Sequence, residues 1–187
     1  NITSYTYDSL DRRIGLTYAS GDQYVYAYDR DSNPIEHIDP NGTVVQNTFD
    51  ALGRLEQRAI ERAEGVTVGT TRETYTYDGL SRLIRATDDN GDDAGDGELV
   101  EYTYDGLSRP LTDRQNGRVV SSTYTGDGKR SQVTYPGGRQ ITHRFDALDR
   151  VTAALDGNTA LFEADYVGPG LRELSRRYGN GTTTTFS

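Results

Sequence analysis

Apolar and polar residues alternate most cleanly in short arms that run into an aromatic residue. Two positions before that aromatic stand Tyr5, Tyr26, Tyr75, Tyr102 and His143, and four before it stand Tyr24, Val45, Val100, Val120, Ile141 and Phe162. Between them lie Thr6, Thr48, Thr76, Thr103, Thr123 and Thr185, one before, and Ser4, Gln46, Thr74, Glu101, Ser121, Thr142 and Thr183, three before. A period of two is the signature of a strand with unlike faces. The pattern predicts strands with a tyrosine-rich packing face and a threonine-rich face toward water. The arm that follows each aromatic has no such clear alternation, and its faces stay unassigned.

The aromatics themselves recur: Tyr7, Tyr28, Phe49, Tyr77, Tyr104, Tyr124, Phe145, Tyr166 and Phe186. Their gaps are 21, 21, 28, 27, 20, 21, 21 and 20 residues, so the chain is a repeat array with two lengthened units. An acid follows directly at Asp8, Asp29, Asp50, Asp78, Asp105 and Asp146, and a base five positions on at Arg12, Arg54, Arg82, Arg109, Lys129 and Arg150. A leucine stands three positions on in five units, at Leu10, Leu52, Leu80, Leu107 and Leu148. A short carboxylate can accept from a backbone N–H two residues on, so each unit opens with a tight turn. About midway comes a second turn, as in Asn41-Gly42, Asn116-Gly117, Gly137-Gly138 and Asn180-Gly181, with the positive φ angles that short hairpin loops require. Two turns per unit leave two arms of strand length, and one repeat predicts one hairpin.

Composition agrees with repetition. The 187 residues include 14 Tyr against 4 Phe and no Trp, with 21 Gly. Lys and Arg total 20 and Asp and Glu 29, a net charge of −9, which argues against nucleic acid or an anionic membrane as a general partner because both call for a basic surface. Without cysteine there is no disulfide, thiolate metal site or cysteine nucleophile. His37 and His143 alone leave almost no material for a zinc site or a Ser/His/Asp triad. No apolar run approaches the ~18 residues of a membrane-spanning helix. With neither a signal peptide nor a methionine, the chain reads as a window from a longer precursor: a single array over residues 1–187, with insertion loops at 61–72 and 88–98.

Tyr77-Asp78-Gly79-Leu80-Ser81-Arg82-Leu83, Phe49-Asp50-Ala51-Leu52-Gly53-Arg54-Leu55 and Tyr104-Asp105-Gly106-Leu107-Ser108-Arg109 resemble the YD repeat, also called the RHS repeat, and the likeness extends over essentially the whole chain. Proteins of this family wind β-hairpins into a spiralling sheet, a hollow shell around toxin cargo in bacterial Rhs proteins and insecticidal toxin complexes, and a barrel in the cell-surface teneurins. The resemblance therefore implies an all-β chain of about nine antiparallel hairpins in a curved, spiralling sheet, located outside the cell or on its surface and secreted by a bacterium. Thr125 and Val167 replace the acid after Tyr124 and Tyr166, so those units are degenerate. Nothing here resembles the family's carboxy-terminal core with its self-cleaving aspartates, and the resemblance implies neither autoproteolysis nor a toxin domain for this chain.

Against that background, candidate chemistry is sparse. His143 falls in a column of tyrosines and reads as a packing residue, and His37, beside Ile38 and Asp39, as a solvated or hydrogen-bonded one. Acid and base pairs repeated along a chain read as a ladder of hydrogen bonds and ion pairs, with Arg stacked on the next Tyr, rather than as catalytic pairs. Asp88, Asn90 and Asp92 imitate the start of a calcium-binding EF-hand loop, but Asp93 stands where glycine is wanted and Leu99 where glutamate is wanted. A solvated acidic loop is the simpler reading, calcium is the alternative, and no other cofactor is expected.

Eight repeat intervals at about 10 Å each give a strip too narrow to enclose a cavity, with open edges and an exposed tyrosine-rich face. The expected function is a non-enzymatic scaffold continued by further YD-repeat sequence, from the same precursor or identical copies, into a shell, tube or filament. A toxin-encapsulating capsule segment, a surface adhesin using loops 61–72 and 88–98, and a carbohydrate-active enzyme are the alternatives.

Overall fold

A computed structural model describes residues 2–66, 69–89 and 97–186. Seventeen strands and no helix occur among the described residues. The chain divides into two compact units, residues 1–101 and 102–187. The first holds β1 (Ser4–Tyr7), β2 (Arg13–Thr17), β3 (Gln23–Tyr28), β4 (Pro34–Ile38), β5 (Val44–Phe49), β6 (Leu55–Glu61), β7 (Arg72–Tyr77) and β8 (Leu83–Asp89). The division falls inside β9 (Leu99–Tyr104). The second unit continues with β10 (Pro110–Gln115), β11 (Arg118–Tyr124), β12 (Arg130–Thr134), β13 (Gln140–Phe145), β14 (Val151–Asp156), β15 (Thr159–Tyr166), β16 (Glu173–Tyr178) and β17 (Thr183–Thr185).

In both units each strand pairs antiparallel with its neighbour in sequence, so every repeat is a hairpin in a meander. The midway turns take the left-handed backbone that their glycines permit. Gly137 and Gly138 sit at φ 88° and 87°, and Asn116 at 48° beside Gly117 at 80°.

The register contains a feature that alternation alone does not reveal. Tyr7 pairs with Arg13 while Thr6 pairs with Gly15, which leaves Ile14 unpaired on the outgoing strand. The same one-residue bulge recurs at Ile35, Glu56, Ile84, Ser131, Thr152 and Leu174, just past the turns that follow Tyr28, Phe49, Tyr77, Tyr124, Phe145 and Tyr166. A bulge bends the strand and sharpens its twist. It also shifts the parity of the outgoing arm, which is why that arm carries no clean alternation.

The threonines one before each aromatic are exposed, as a solvent-facing row requires. On the other face, Leu16 lies between Tyr5 and Tyr24, Val133 pairs with Ile141, and Ala154 lies between His143 and Phe162. These layers supply most of the buried apolar residues, which among the described residues are Leu16, Val45, Val133, Ile141, Ala153, Ala154 and Ala164. Among the described residues no large side chain is fully buried, so backbone pairing and side-chain contacts between turns carry more of the order than a core does.

Candidate functional site

The recurring side chains converge on the turns. In the first, the Asp8 N–H donates to the Arg12 carbonyl (2.9 Å) and the Asp11 N–H to the Asp8 carbonyl (3.1 Å), with Asp11 at φ 58°. Asp8 Oδ1 accepts from the backbone N–H of Leu10 (2.9 Å) and of Arg12 (3.0 Å), and Oδ2 accepts from Arg12 Nε (2.7 Å). Asp50, Asp78, Asp105 and Asp146 repeat the arrangement with Arg54, Arg82, Arg109 and Arg150, the Nε bond lying at 2.6–2.7 Å. The leucine at the third position contributes its N–H while its side chain is exposed.

Having satisfied its own turn, the guanidinium reaches the next. Arg12 Nη1 donates to the Asp29 carbonyl (2.8 Å) and to Ser32 Oγ (3.2 Å), while its Cζ lies 4.9 Å from the centre of the Tyr28 ring. Tyr28 Oη in turn donates to the Arg13 carbonyl (3.0 Å). Arg54 does the same with the Asp78 carbonyl, Ser81 Oγ and the Tyr77 ring at 4.7 Å, and Tyr77 Oη donates to Leu55 O. Arg109 covers Tyr124 at 4.6 Å and Arg150 covers Tyr166 at 4.6 Å, with the two hydroxyls bonded to Pro110 O and Val151 O. Each junction is thus a clasp of an ion pair, a stacked cation and a reciprocal hydroxyl-to-backbone bond.

Three junctions, those leading to Phe49, Phe145 and Phe186, lack the arginine, and the first two show what replaces it. Asn33 replaces the base after Tyr28 and donates from Nδ2 to Asp29 Oδ2 (2.8 Å), and the next aromatic is Phe49. The carbonyl that a tyrosine would reach, Pro34 O, accepts instead from Asn47 Nδ2 (2.8 Å). An open cleft of about 400 Å³ lined by Asp31, Asn33, Asp50, Leu52 and Gly53 lies between these turns. Lys129 lies 5.7 Å from the Phe145 ring centre and pairs with both Asp127 and Asp149. Thr125 Oγ1 there accepts the Lys129 N–H in the place of the missing carboxylate (2.9 Å).

These contacts set the charge state of the turns. The Asp8 and Asp105 carboxyls are held below the ordinary carboxylate range chiefly by the backbone N–H groups of Arg12 and Arg109. For Asp50 and Asp78 the guanidinium bonds of Arg54 and Arg82 lead, and for Asp29 the Asn33 side chain leads. At Asp146 desolvation, which raises the value, is the largest single influence, but the backbone N–H and side chain of Arg150 together outweigh it and the carboxyl is lowered too. The Asp–Arg pairs described above are used in holding their turns together.

The remaining candidates are dispersed. His37 Nε2 lies 3.5 Å from Asp39 Oδ1, with its ring 6.4 Å from that of Tyr26. His143 stands opposite Ala154, and its Nδ1 is buried without a hydrogen-bond partner among the described residues. Asp88 serves the root of its loop, Oδ1 accepting from the Glu98 N–H (2.5 Å) and Oδ2 from Thr70 Oγ1 (3.3 Å). Asn90, Asp92 and Asp93, the other calcium candidates, lie outside the described residues. Among the described residues no group of three or more acidic or histidine side chains could hold a metal ion.

The tyrosine hydroxyl bond to the preceding turn was not anticipated from the repeat, yet the repeat carries a signal for it. The aromatic that opens the next repeat after Arg12, Arg54, Arg82, Arg109 and Arg150 is always tyrosine, and after Asn33, Lys129 and Leu171 it is always phenylalanine.

No family model matches the chain, and no curated protein matches it in sequence. Among solved structures, a chain of the TcdB2-TccC3-Cdc42 crystal structure superposes on 98% of this chain with a TM-score of 0.66 at 12% identity, and one of TcdB2-TccC3 gives the same TM-score at 13% identity. A chain of the Photorhabdus luminescens Tc holotoxin pore matches 97% of this chain with a TM-score of 0.53 at 15% identity. This chain spans 11–12% of the length of those chains. In fold the chain is an antiparallel array of β-hairpins similar to those toxin-complex chains.

Proposed function

We propose that this chain is a non-enzymatic structural scaffold, a segment of an Rhs-type shell whose sheet is continued across its edges by further YD-repeat sequence. The observation that carries this reading is the clasp, which recurs at the turns that bear Arg12, Arg54, Arg109 and Arg150 and ties each of them to the next turn. A catalytic constellation is needed once, whereas these charged pairs recur and use their donors and acceptors on neighbouring turns. The scarcity of buried apolar side chains also favours a sheet that functions as part of a larger assembly. By resemblance, that assembly encloses cargo and is secreted by a bacterium.

Electron microscopy of the native material tests the reading. Further hairpin strands beside β1 and β17, in a closed shell or a tube, are expected. Terminal strands facing solvent on both sides would overturn it and favour a surface adhesin. The adhesin reading has one observation behind it: Thr71 N and Oγ1 donate to Asp89 O and Thr70 Oγ1 to Asp88 Oδ2, so the roots of the two insertion loops are tied together. Surface binding that vanishes when residues 90–96 are deleted would support it.

A further inference from the structure

We infer that the outer edge of β1 is an arginine-accepting edge: a hairpin docking there carries, five residues after its own aromatic, an arginine whose guanidinium covers Tyr7 and donates to the Asp8 carbonyl and the Asp11 carboxylate. The inference rests on the reading of the chain as a scaffold continued across its edges, and it specifies what the continuing hairpin must present.

Three observations converge. The aromatic at this position is tyrosine, and within the chain tyrosine follows an arginine-bearing turn in all five cases while phenylalanine follows the other three. The physical reason is that the guanidinium fixes the ring over the preceding turn, where its hydroxyl reaches the carbonyl one residue past the arginine. Without that cover the hydroxyl has no assured partner, and at Phe49 the equivalent carbonyl is taken by Asn47.

Tyr7 has the acceptor half of a clasp and no donor half. Tyr7 is 56% exposed, all of β1 is exposed, and no cation among the described residues stacks on its ring, whereas Tyr28 and Tyr77 are half-buried beneath their arginines. The Asp8 carbonyl accepts from the Asp11 N–H as the Asp29 carbonyl accepts from that of Ser32, and at Asp29 the remaining lone pair takes Arg12.

Charge complementarity supplies the third observation. The turn position at which Ser32 and Ser81 accept from the incoming arginine is Asp11 in the first turn. Asp149 occupies the same position in its own turn and there pairs with Lys129, the base of the turn before. An acid at that place is therefore a receptor for the preceding repeat's cation, and at Asp11 it makes the arginine contact an ion pair.

The test grafts residues 99–118 ahead of Ile2 in the full chain, which places Tyr7 at the 20-residue spacing that separates Tyr104 from Tyr124. Grafts carrying Arg109 or Arg109→Asn are each combined with Tyr7, Tyr7→Phe and Asp11→Ala, and amide exchange of Asp8 to Arg12 is followed. The arginine graft is expected to slow exchange roughly tenfold more than the asparagine graft, the difference shrinking with Tyr7→Phe or Asp11→Ala. Equal protection by both grafts would overturn the arginine assignment and leave continuation standing, whereas no protection by either would overturn both. Should a fusion fail to fold, the hairpin of residues 99–118 is added to the intact chain as a peptide. Protection of β1 by the arginine peptide alone supports the inference, and equal or absent protection overturns it.

Discussion

A guanidinium suits the clasp because its donors lie in one plane and point in fixed directions. Arg54 donates from Nε to Asp50, donates from Nη1 to the next turn, and presents its face to Tyr77. Lysine keeps the charge but loses the plane, so Arg54→Lys is expected to lower stability by about 1 kcal/mol in urea unfolding. Tyr77→Phe removes only the bond to Leu55 O and should cost about 0.5–1.5 kcal/mol, whereas Phe49→Tyr should gain little because Pro34 O is already engaged by Asn47. The turn carboxylates also predict an acid response. Their folded pKa values lie below those of the unfolded chain, so their stabilisation is complete above about pH 4 and is lost as pH falls through the folded values. Melting temperature measured from pH 5 to pH 2 should fall below about pH 4, and Asp50→Asn with Asp78→Asn should flatten that fall.

Between elements, the junctions are of unequal strength. The seam between the turns after Tyr28 and Phe49 lacks the arginine, and its cleft has room for one, with Asp29 ready to receive the Nε–H. Asn33→Arg is expected to raise the unfolding midpoint by an amount equivalent to about 0.5–1 kcal/mol, the worth of an exposed stacked cation. A decrease would mean that Asn33 is placed there for its own bond to Asp29. The bulge after each turn is the other device at this scale. It bends β2 and β6 just where the clasp reaches across, so the local backbone and the side-chain network there are built from the same few residues.

For the whole molecule, the decisive quantity is how little apolar surface is sequestered. Leu16, Val45, Val133 and Ile141 are the larger buried side chains, while Ile2, Tyr5 and Tyr7 at one edge and Phe186 beside β17 remain exposed. Exposed aromatic surface beside unpaired strand edges favours association. The isolated chain is accordingly expected to be β-rich by circular dichroism and to associate at micromolar concentration in analytical ultracentrifugation. A monodisperse monomer with a cooperative melt would contradict the scaffold reading.

The hairpins, their turns and the arms that enter each aromatic were legible in the sequence, because glycine, asparagine and aspartate act on the backbone locally and a period of two needs no partner to be seen. The ladder of acids and bases was legible as a repeat, since Asp50 and Arg54 lie within one turn. What the tertiary structure decided was every contact that joins one turn to the next: the carbonyl that receives Arg12, the backbone oxygen that Tyr28 reaches, and the substitution of Asn47 for a tyrosine hydroxyl at Pro34. It also decided the faces of the outgoing arms, since an unpaired residue such as Ile84 reverses their parity. The physical reason is the same in both cases. A bulge and an inter-turn hydrogen bond exist only once two strands are aligned side by side, and strand alignment is a property of the folded sheet rather than of any one repeat.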